Sequence, residues 1–227
     1  MKSFVIYQDR IDMSVKFAQE AVAEAETFGV DLRGWIGCDG TKDQHKFQEY
    51  GIKKFLQDKI EKLPGVQGCF LSHYEIWKKC AEQTETFLIC EHDGIFIRKL
   101  PEDVENHFEH VLNLDPYDHF NESYNEKVKK SLTLPINYQP ADIRYKDKAG
   151  GYLPGAYGYL IKPEGARRLI KFALDKGALP TDKHIGVDII DLKTTTVPII
   201  RLHEFFNMKN LRKFSLTKNL ERFSNEI

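Results

Sequence analysis

The sequence predicts an α/β fold, a mostly parallel sheet flanked by helices, and three observations carry that prediction. Short apolar runs alternate with longer stretches whose apolar residues recur every three or four positions, the pattern of strands separated by covering helices. The run Thr86-Phe87-Leu88-Ile89-Cys90 is too short for a helix and almost wholly apolar, as a strand covered on both faces must be. Polar or acidic residues follow where the runs stop, at Gln8-Asp9-Arg10, Cys38-Asp39-Gly40 and Glu91-His92-Asp93. In open α/β sheets that carboxyl edge is where ligands bind.

In chain order, residues 4–7 (Phe-Val-Ile-Tyr) form the first strand. Val15, Ala18, Val22 and Ala25 give the stripe of a helix that Ser14 caps and that ends before Gly29. Leu32 to Ile36 is the second strand, and Asp39 in the loop after it either contacts a ligand or holds an Asp-Gly turn. Ile52, Phe55, Leu56 and Ile60 fit a helix closing at Pro64 and Gly65. Phe70, Tyr74, Trp77 and Ala81 line one face of the next helix, opposite Glu75, Lys78, Lys79 and Glu82, with Trp77 in the core. After the strand at 86–90, Pro101 opens a helix bearing Val104, Phe108, Val111 and Leu112. Periodicity then dissolves over 113–151, which reads as a loop-rich insert whose Tyr117, Tyr124, Tyr138 and Tyr145 either stack on sugar faces or anchor a surface loop. Strand character returns at 152–163, with Gly155, Ala156 and Gly158 keeping the backbone slim. Pro163 starts a helix that faces the core with Ala166, Leu169, Ile170, Ala173 and Leu174 and stops at Gly177, and a last strand covers 197–202. The whole reads as one domain over 1–227, with a first half at 1–112, the insert at 113–151 and a second half with a basic tail at 152–227.

Composition excludes several classes. With 227 residues and 41% hydrophobic content the chain can bury a sizeable core. Thirty-three basic against 34 acidic residues leave a net charge of -1, too little to draw in nucleic acid. Four cysteines without a Cys-x-x-Cys pair read as reduced thiols, hence a cytoplasmic setting, and His107 and His110 lack companions for a metal site. No stretch approaches the ~20 apolar residues of a membrane span, so membrane contact is at most peripheral.

The residues at the strand ends carry the chemistry. Glu91 and Asp93, two apart where a strand unwinds, can turn toward one point, and their hard oxygens suit Mg2+ or Mn2+. An acidic-x-acidic triplet alone is equally a solvated pair. The wider combination is more specific. GCFLSHYEIW, then FLICEHDGIFI, then YLPGAYGYLIKPEGARRLI followed by Pro180-Thr181-Asp182 resemble glycosyltransferase family 25, the lipooligosaccharide-type galactosyltransferases related to the collagen galactosyltransferases. The opening FVIYQDRIDMSVKF and GWIGCDG are similar to that family as well, and the resemblance spans most of the chain. Members usually carry Glu-Asp-Asp where this chain has Glu91-His92-Asp93.

The resemblance implies a Rossmann-like fold of the glycosyltransferase-A type. It implies transfer of a hexose, most readily galactose, from a UDP-sugar to a glycan or lipooligosaccharide acceptor, with inversion and a divalent cation. Asp9, Arg10, Asp39, Ser72, His73, Glu91, Gly155 and Tyr157 then face the donor, and Asp93 and Glu91 hold the cation. His203, just past the last strand, either completes the metal sphere or is a rim histidine. Asp182 is the expected base for the acceptor hydroxyl, Asp188 the alternative, and a helix cap the structural reading of Asp182. Two rivals remain: a non-catalytic nucleotide-sugar or glycan-binding module of the same fold, and a metal-dependent hydrolase using the same carboxylates.

Overall fold

The structure is a computed structural model that describes residues 1–53, 55–56, 63–119, 121–141, 153, 155–186 and 189–206. Its elements are β1 (Lys2–Tyr7), α1 (Asp12–Thr27), β2 (Leu32–Ile36), α2 (His45–Glu49), α3 (Pro64–Ala81), β3 (Phe87–Glu91), β4 (Gly94–Phe96), β5 (Val111–Asn113), α4 (Tyr124–Ser131), β6 (Tyr138–Pro140), β7 (Gly158–Ile161), α5 (Pro163–Asp175), α6 (Thr181–His184), β8 (Leu192–Thr195) and β9 (Ile200–Leu202). Seven strands form one sheet in the order β2-β1-β3-β7-β5-β8-β6, and β4 and β9 pair separately. β1 runs parallel to β2 and β3, and β5 parallel to β8. β7 runs antiparallel to β3 and β5, and β6 antiparallel to β8. Within the seven-stranded sheet all strands but β7 and β6 therefore point one way, the mostly parallel α/β sheet the alternation predicts.

Side-chain alternation divides the core into two layers. Phe4, Ile6, Phe87, Ile89, Tyr159 and Ile161 face one cluster with Phe70, Trp77 and Leu169 of α3 and α5. Val5, Leu88, Cys90, Leu112 and Leu160 face the other, with Phe17 and Ala21 of α1. A period of two on strands buried on both sides explains why the runs are continuously apolar. Trp77, Tyr74, Tyr159 and Phe70 are fully buried, and each large side chain removed from water contributes about 1.5–3 kcal/mol. Among the described residues no helix is long and apolar enough to cross a membrane.

Several local expectations need correction. Pro64 does not close a helix; it opens α3, where its missing N–H is harmless. Ser14 lies inside α1, whose N-cap is Ile11, and the Ser14 hydroxyl instead accepts from the Gln8 amide at 2.9 Å. The helix expected after Pro101 is a 3-10 turn at Val104–His107 followed by β5. Val111 faces one core cluster and Leu112 the other, an arrangement two adjacent residues reach on a strand and not on one helix face. The stretch taken for a loop contains α4, which buries Tyr124, Val128 and Ser131, and edge strand β6, whose Pro140 sits where a missing donor is tolerated. Of its described tyrosines, Tyr124 is buried, and Tyr138 stacks on His107 with ring centroids 4.1 Å apart. β7 is shorter than 152–163, β8 is a Thr-rich strand without an apolar run, and β9 leaves the main sheet to pair with β4. The helix read over 52–60, Tyr145 and the basic tail lie largely or wholly outside the described residues.

Candidate active site at the strand ends

The ends of β1 and β3, the loop after β2 and the first turns of α3 enclose a cleft of about 580 Å³, its open mouth included. Tyr7, Gln8, Arg10, Cys38, Gly40, Gly68, Cys69, Ser72, His73, Glu91 and His92 line it. Two glycines let the β2 loop lie directly on α3. A Cβ at Gly40 would fall 1.7 Å from the Pro64 carbonyl, and one at Gly68 2.5 Å from the Cys38 carbonyl. Ser72 then fastens the contact: its hydroxyl donates to Gly68 O at 2.6 Å and accepts from the Cys38 amide at 2.8 Å. Asp39 fills its own loop, accepting from the Thr41 amide and hydroxyl and from the Arg10 guanidinium. Burial opposes its ionisation, but these bonds win and its pKa lies below the usual value. Asp9 is exposed beside this loop.

At the end of β3 the sheet hands over to chemistry. The Glu91 amide donates to Tyr157 O at 3.2 Å, the His92 amide to Ile6 O at 2.9 Å, and the His203 amide to Asp93 O at 2.7 Å. A hydrogen-bonded chain reaches Glu91 from the core. Trp77 Nε1 donates to the Tyr159 hydroxyl at 2.9 Å, Tyr159 Oη lies 2.8 Å from His73 Nδ1, and His73 Nε2 lies 3.2 Å from Glu91 Oε1. For a neutral imidazole the order is fixed by the ends: indole only donates and carboxylate only accepts, so Tyr159 donates to Nδ1 and Nε2–H donates to Glu91. Burial works against the Glu91 charge, yet the His73 bond reverses it and the pKa falls below the usual value. Its neighbour behaves oppositely: burial, and then the charge of Glu91, push Asp93 up to about 8. Asp93 Oδ1 is buried without a hydrogen-bond partner, the condition a bound cation relieves, so the acidic pair fits a divalent ion.

α6 brings the second half of the chain to the same place. Thr181 Oγ1 lies 3.3 Å from Cys69 Sγ, and Cys69 Sγ lies 3.7 Å from Glu91 Oε1. Asp182 follows Thr181, and burial first, with Glu91 adding to it, raises its carboxyl to about 6. It is not the helix cap: Pro180 occupies that position, and Asp182 Oδ1 accepts from the next amide at 3.0 Å. Gly155 has φ +111° and packs against the Tyr157 ring, whose hydroxyl turns inward to Asp115 at 2.8 Å. His203 engages both ring nitrogens elsewhere, Nε2 at 3.1 Å from Glu20 and Nδ1 accepting from the Phe205 amide at 3.1 Å. Arg167 and Arg168 pair with Glu164 on their own helix. Asp188 lies outside the described residues.

With this geometry, a family model described as "Glycosyltransferase family 25 (LPS biosynthesis protein)" matches residues 36–185. The chain belongs to glycosyltransferase family 25. It is 26% identical over 181 residues to procollagen galactosyltransferase 2 of Mus musculus, covering 69% of this chain and 26% of that protein. It is also 27% identical over 177 residues to a glycosyltransferase 25 family member of Aedes aegypti, covering 71% of this chain and 27% of that one. The chain thus spans about a quarter of the length of the curated relatives it matches.

Within this family 25 chain, His92 stands between Glu91 and Asp93. Burial lowers its pKa to about 4, so near neutrality it adds no charge between the two carboxyls. Sequence reading missed Cys69, Tyr159 and Asp115. Cys69 stands four residues before His73, a spacing that puts both on one helix face, and that signal was available. Nothing in the sequence marks Tyr159 or Asp115, since their partners are brought by the sheet.

Proposed function

We propose that the chain transfers a hexose, galactose in the first instance, from a UDP-sugar to a glycan acceptor, with inversion at the transferred carbon. What carries the reading is one convergence: Asp93, whose Oδ1 has no hydrogen-bond partner, beside Glu91 on the donor side, and Asp182, raised to about 6, on the acceptor side of the same strand ends. Asp93 and Glu91 would hold a divalent cation such as Mn2+ or Mg2+, which when bound supplies positive charge against the departing diphosphate. The β2 loop and α3, through Arg10, Asp39, Ser72 and His73, shape the nucleotide side of the cleft. Asp182 accepts the acceptor hydroxyl proton as the new glycosidic bond forms and the bond to the diphosphate breaks. A carboxylate with a pKa of about 6 is roughly nine-tenths ionised at pH 7, and still basic enough to take that proton. The family description supports reading the acceptor as of lipooligosaccharide type, and a reducing, cytoplasmic setting accords with four cysteines present as separate thiols.

A second reading, a binding module that has lost turnover, is favoured by His92. The test is a panel of nucleotide sugars screened for thermal stabilisation with and without Mn2+, followed by a transfer assay on the ligand that stabilises most. Stabilisation by a UDP-sugar together with acceptor-dependent UDP release supports transfer. Stabilisation without release supports the module, and release equally fast without acceptor supports a hydrolase.

A further inference from the structure

The geometry points to a second metal site in this cleft, distinct from the Asp93 pair in donor chemistry: a zinc site formed by Cys69 Sγ, His73 Nε2 and Glu91 Oε1. The three ligand atoms all lie within 4.8 Å of one another. Zinc bonds of about 2.0 Å to oxygen, 2.05 Å to nitrogen and 2.3 Å to sulfur at tetrahedral angles require edges of about 3.3 Å for N···O and about 3.5 Å for S···O. The corresponding distances are 3.2 Å and 3.7 Å, so both edges that meet at Glu91 are close to the size of the ion, and the sulfur–nitrogen edge is within 4.8 Å. Two ligands one helical turn apart on α3 and a third at a strand end are held by rigid elements.

The donor set selects the ion. One sulfur, one imidazole and one carboxylate suit borderline-soft Zn2+, whereas Mg2+ and Mn2+ prefer oxygen alone. All three residues line the open cleft, which leaves the fourth position to water or ligand, the pattern of an accessible rather than a closed structural site. A supporting group is in place. As zinc takes His73 Nε2, the imidazole proton moves to Nδ1 and is donated to the Tyr159 hydroxyl at 2.8 Å, which can accept it alongside Trp77 Nε1–H. The thiol proton passes to solvent as the sulfur–zinc bond forms. Zinc held here occupies the Glu91 carboxylate and so competes for it with the oxygen-bound cation, a consequence that rests on the transferase reading.

Cobalt(II) titration of the intact chain tests the site without donor sugar or acceptor, so its result is independent of whether the chain transfers anything. A sulfur-to-cobalt charge-transfer band that zinc abolishes is expected in the wild type and in Cys80→Ser, whose thiol lies in the core by Ile161 O. Cys69→Ser should remove the band while keeping the wild-type near-ultraviolet dichroism. Absence of the band in the wild type, or its survival in Cys69→Ser, overturns the assignment. Should Cys69→Ser misfold, zinc-edge absorption of the wild type decides instead: one sulfur near 2.3 Å with nitrogen and oxygen near 2.0 Å supports the site, and a shell without sulfur overturns it.

Discussion

Replacing Tyr159 by Phe should destabilise the protein far more than the loss of one oxygen atom implies. Tyr159 is fully buried at the centre of the main sheet, and its hydroxyl serves Trp77 Nε1 at 2.9 Å and His73 Nδ1 at 2.8 Å. Trp77 and His73 are fully buried too, so neither finds water when the hydroxyl goes. An orphaned buried polar group costs about 1–3 kcal/mol, and two of them give about 2–6 kcal/mol, a large part of the ~5–15 kcal/mol that holds a domain together. Urea unfolding at constant slope m measures the difference directly. Tyr159→Phe combined with Trp77→Phe should then lose less than the sum of the two single changes, because the orphaned indole donor is gone. A loss below about 1 kcal/mol for Tyr159→Phe, or strict additivity in the double variant, would refute the buried chain as described.

Four further outcomes are expected. Asp182→Asn should cut transfer by about 10²- to 10⁴-fold with UDP affinity nearly unchanged and no loss of melting temperature, and the wild-type rate should fall as pH drops through about 6 because the base must be ionised; an unaltered acid limb in the variant would clear Asp182 of the role. UDP binding followed by calorimetry should require a divalent cation and disappear in Asp93→Asn, with Glu91→Gln milder; affinity indifferent to chelator would exclude the cation from the donor site. Manganese affinity should be untouched in His203→Ala, since that ring is engaged by Glu20 and Phe205, and a tenfold loss would return it to the metal sphere. Asp115 is raised from 3.8 to about 6, by burial first, although Tyr124 and Tyr157 donate to it. A raised carboxyl stabilises the fold below its unfolded pKa and loses that contribution as pH rises, so between pH 4 and 6 the wild type should lose about 2 kcal/mol relative to Asp115→Asn; parallel stability curves would show that Asp115 ionises freely.

Local pattern was enough for much of the frame. The strands at Lys2–Tyr7 and Phe87–Glu91 carry short apolar runs, and the helices at Asp12–Thr27, Pro64–Ala81 and Pro163–Asp175 carry apolar residues at helical spacing. Family 25 membership was legible from GCFLSHYEIW and the elements after it, as were the strand-end acids, because such chemistry sits at fixed places on the chain. Only the tertiary structure could decide the rest. Three-residue strands such as Val111–Asn113 have no period to read, and the polar strand Leu192–Thr195 exists because Val111–Asn113 pairs with it. The same holds for the site's inner workings. Cys69 and Thr181 meet across 112 positions of sequence and His73 and Tyr159 across 86, distances at which side-chain identity says nothing until the sheet is assembled. Whether a carboxyl is raised to about 8 like Asp93, held low as a loop fastener like Asp39 or raised to about 6 like Asp182 depends on desolvation and on the groups brought beside it, and both are properties of the packed molecule.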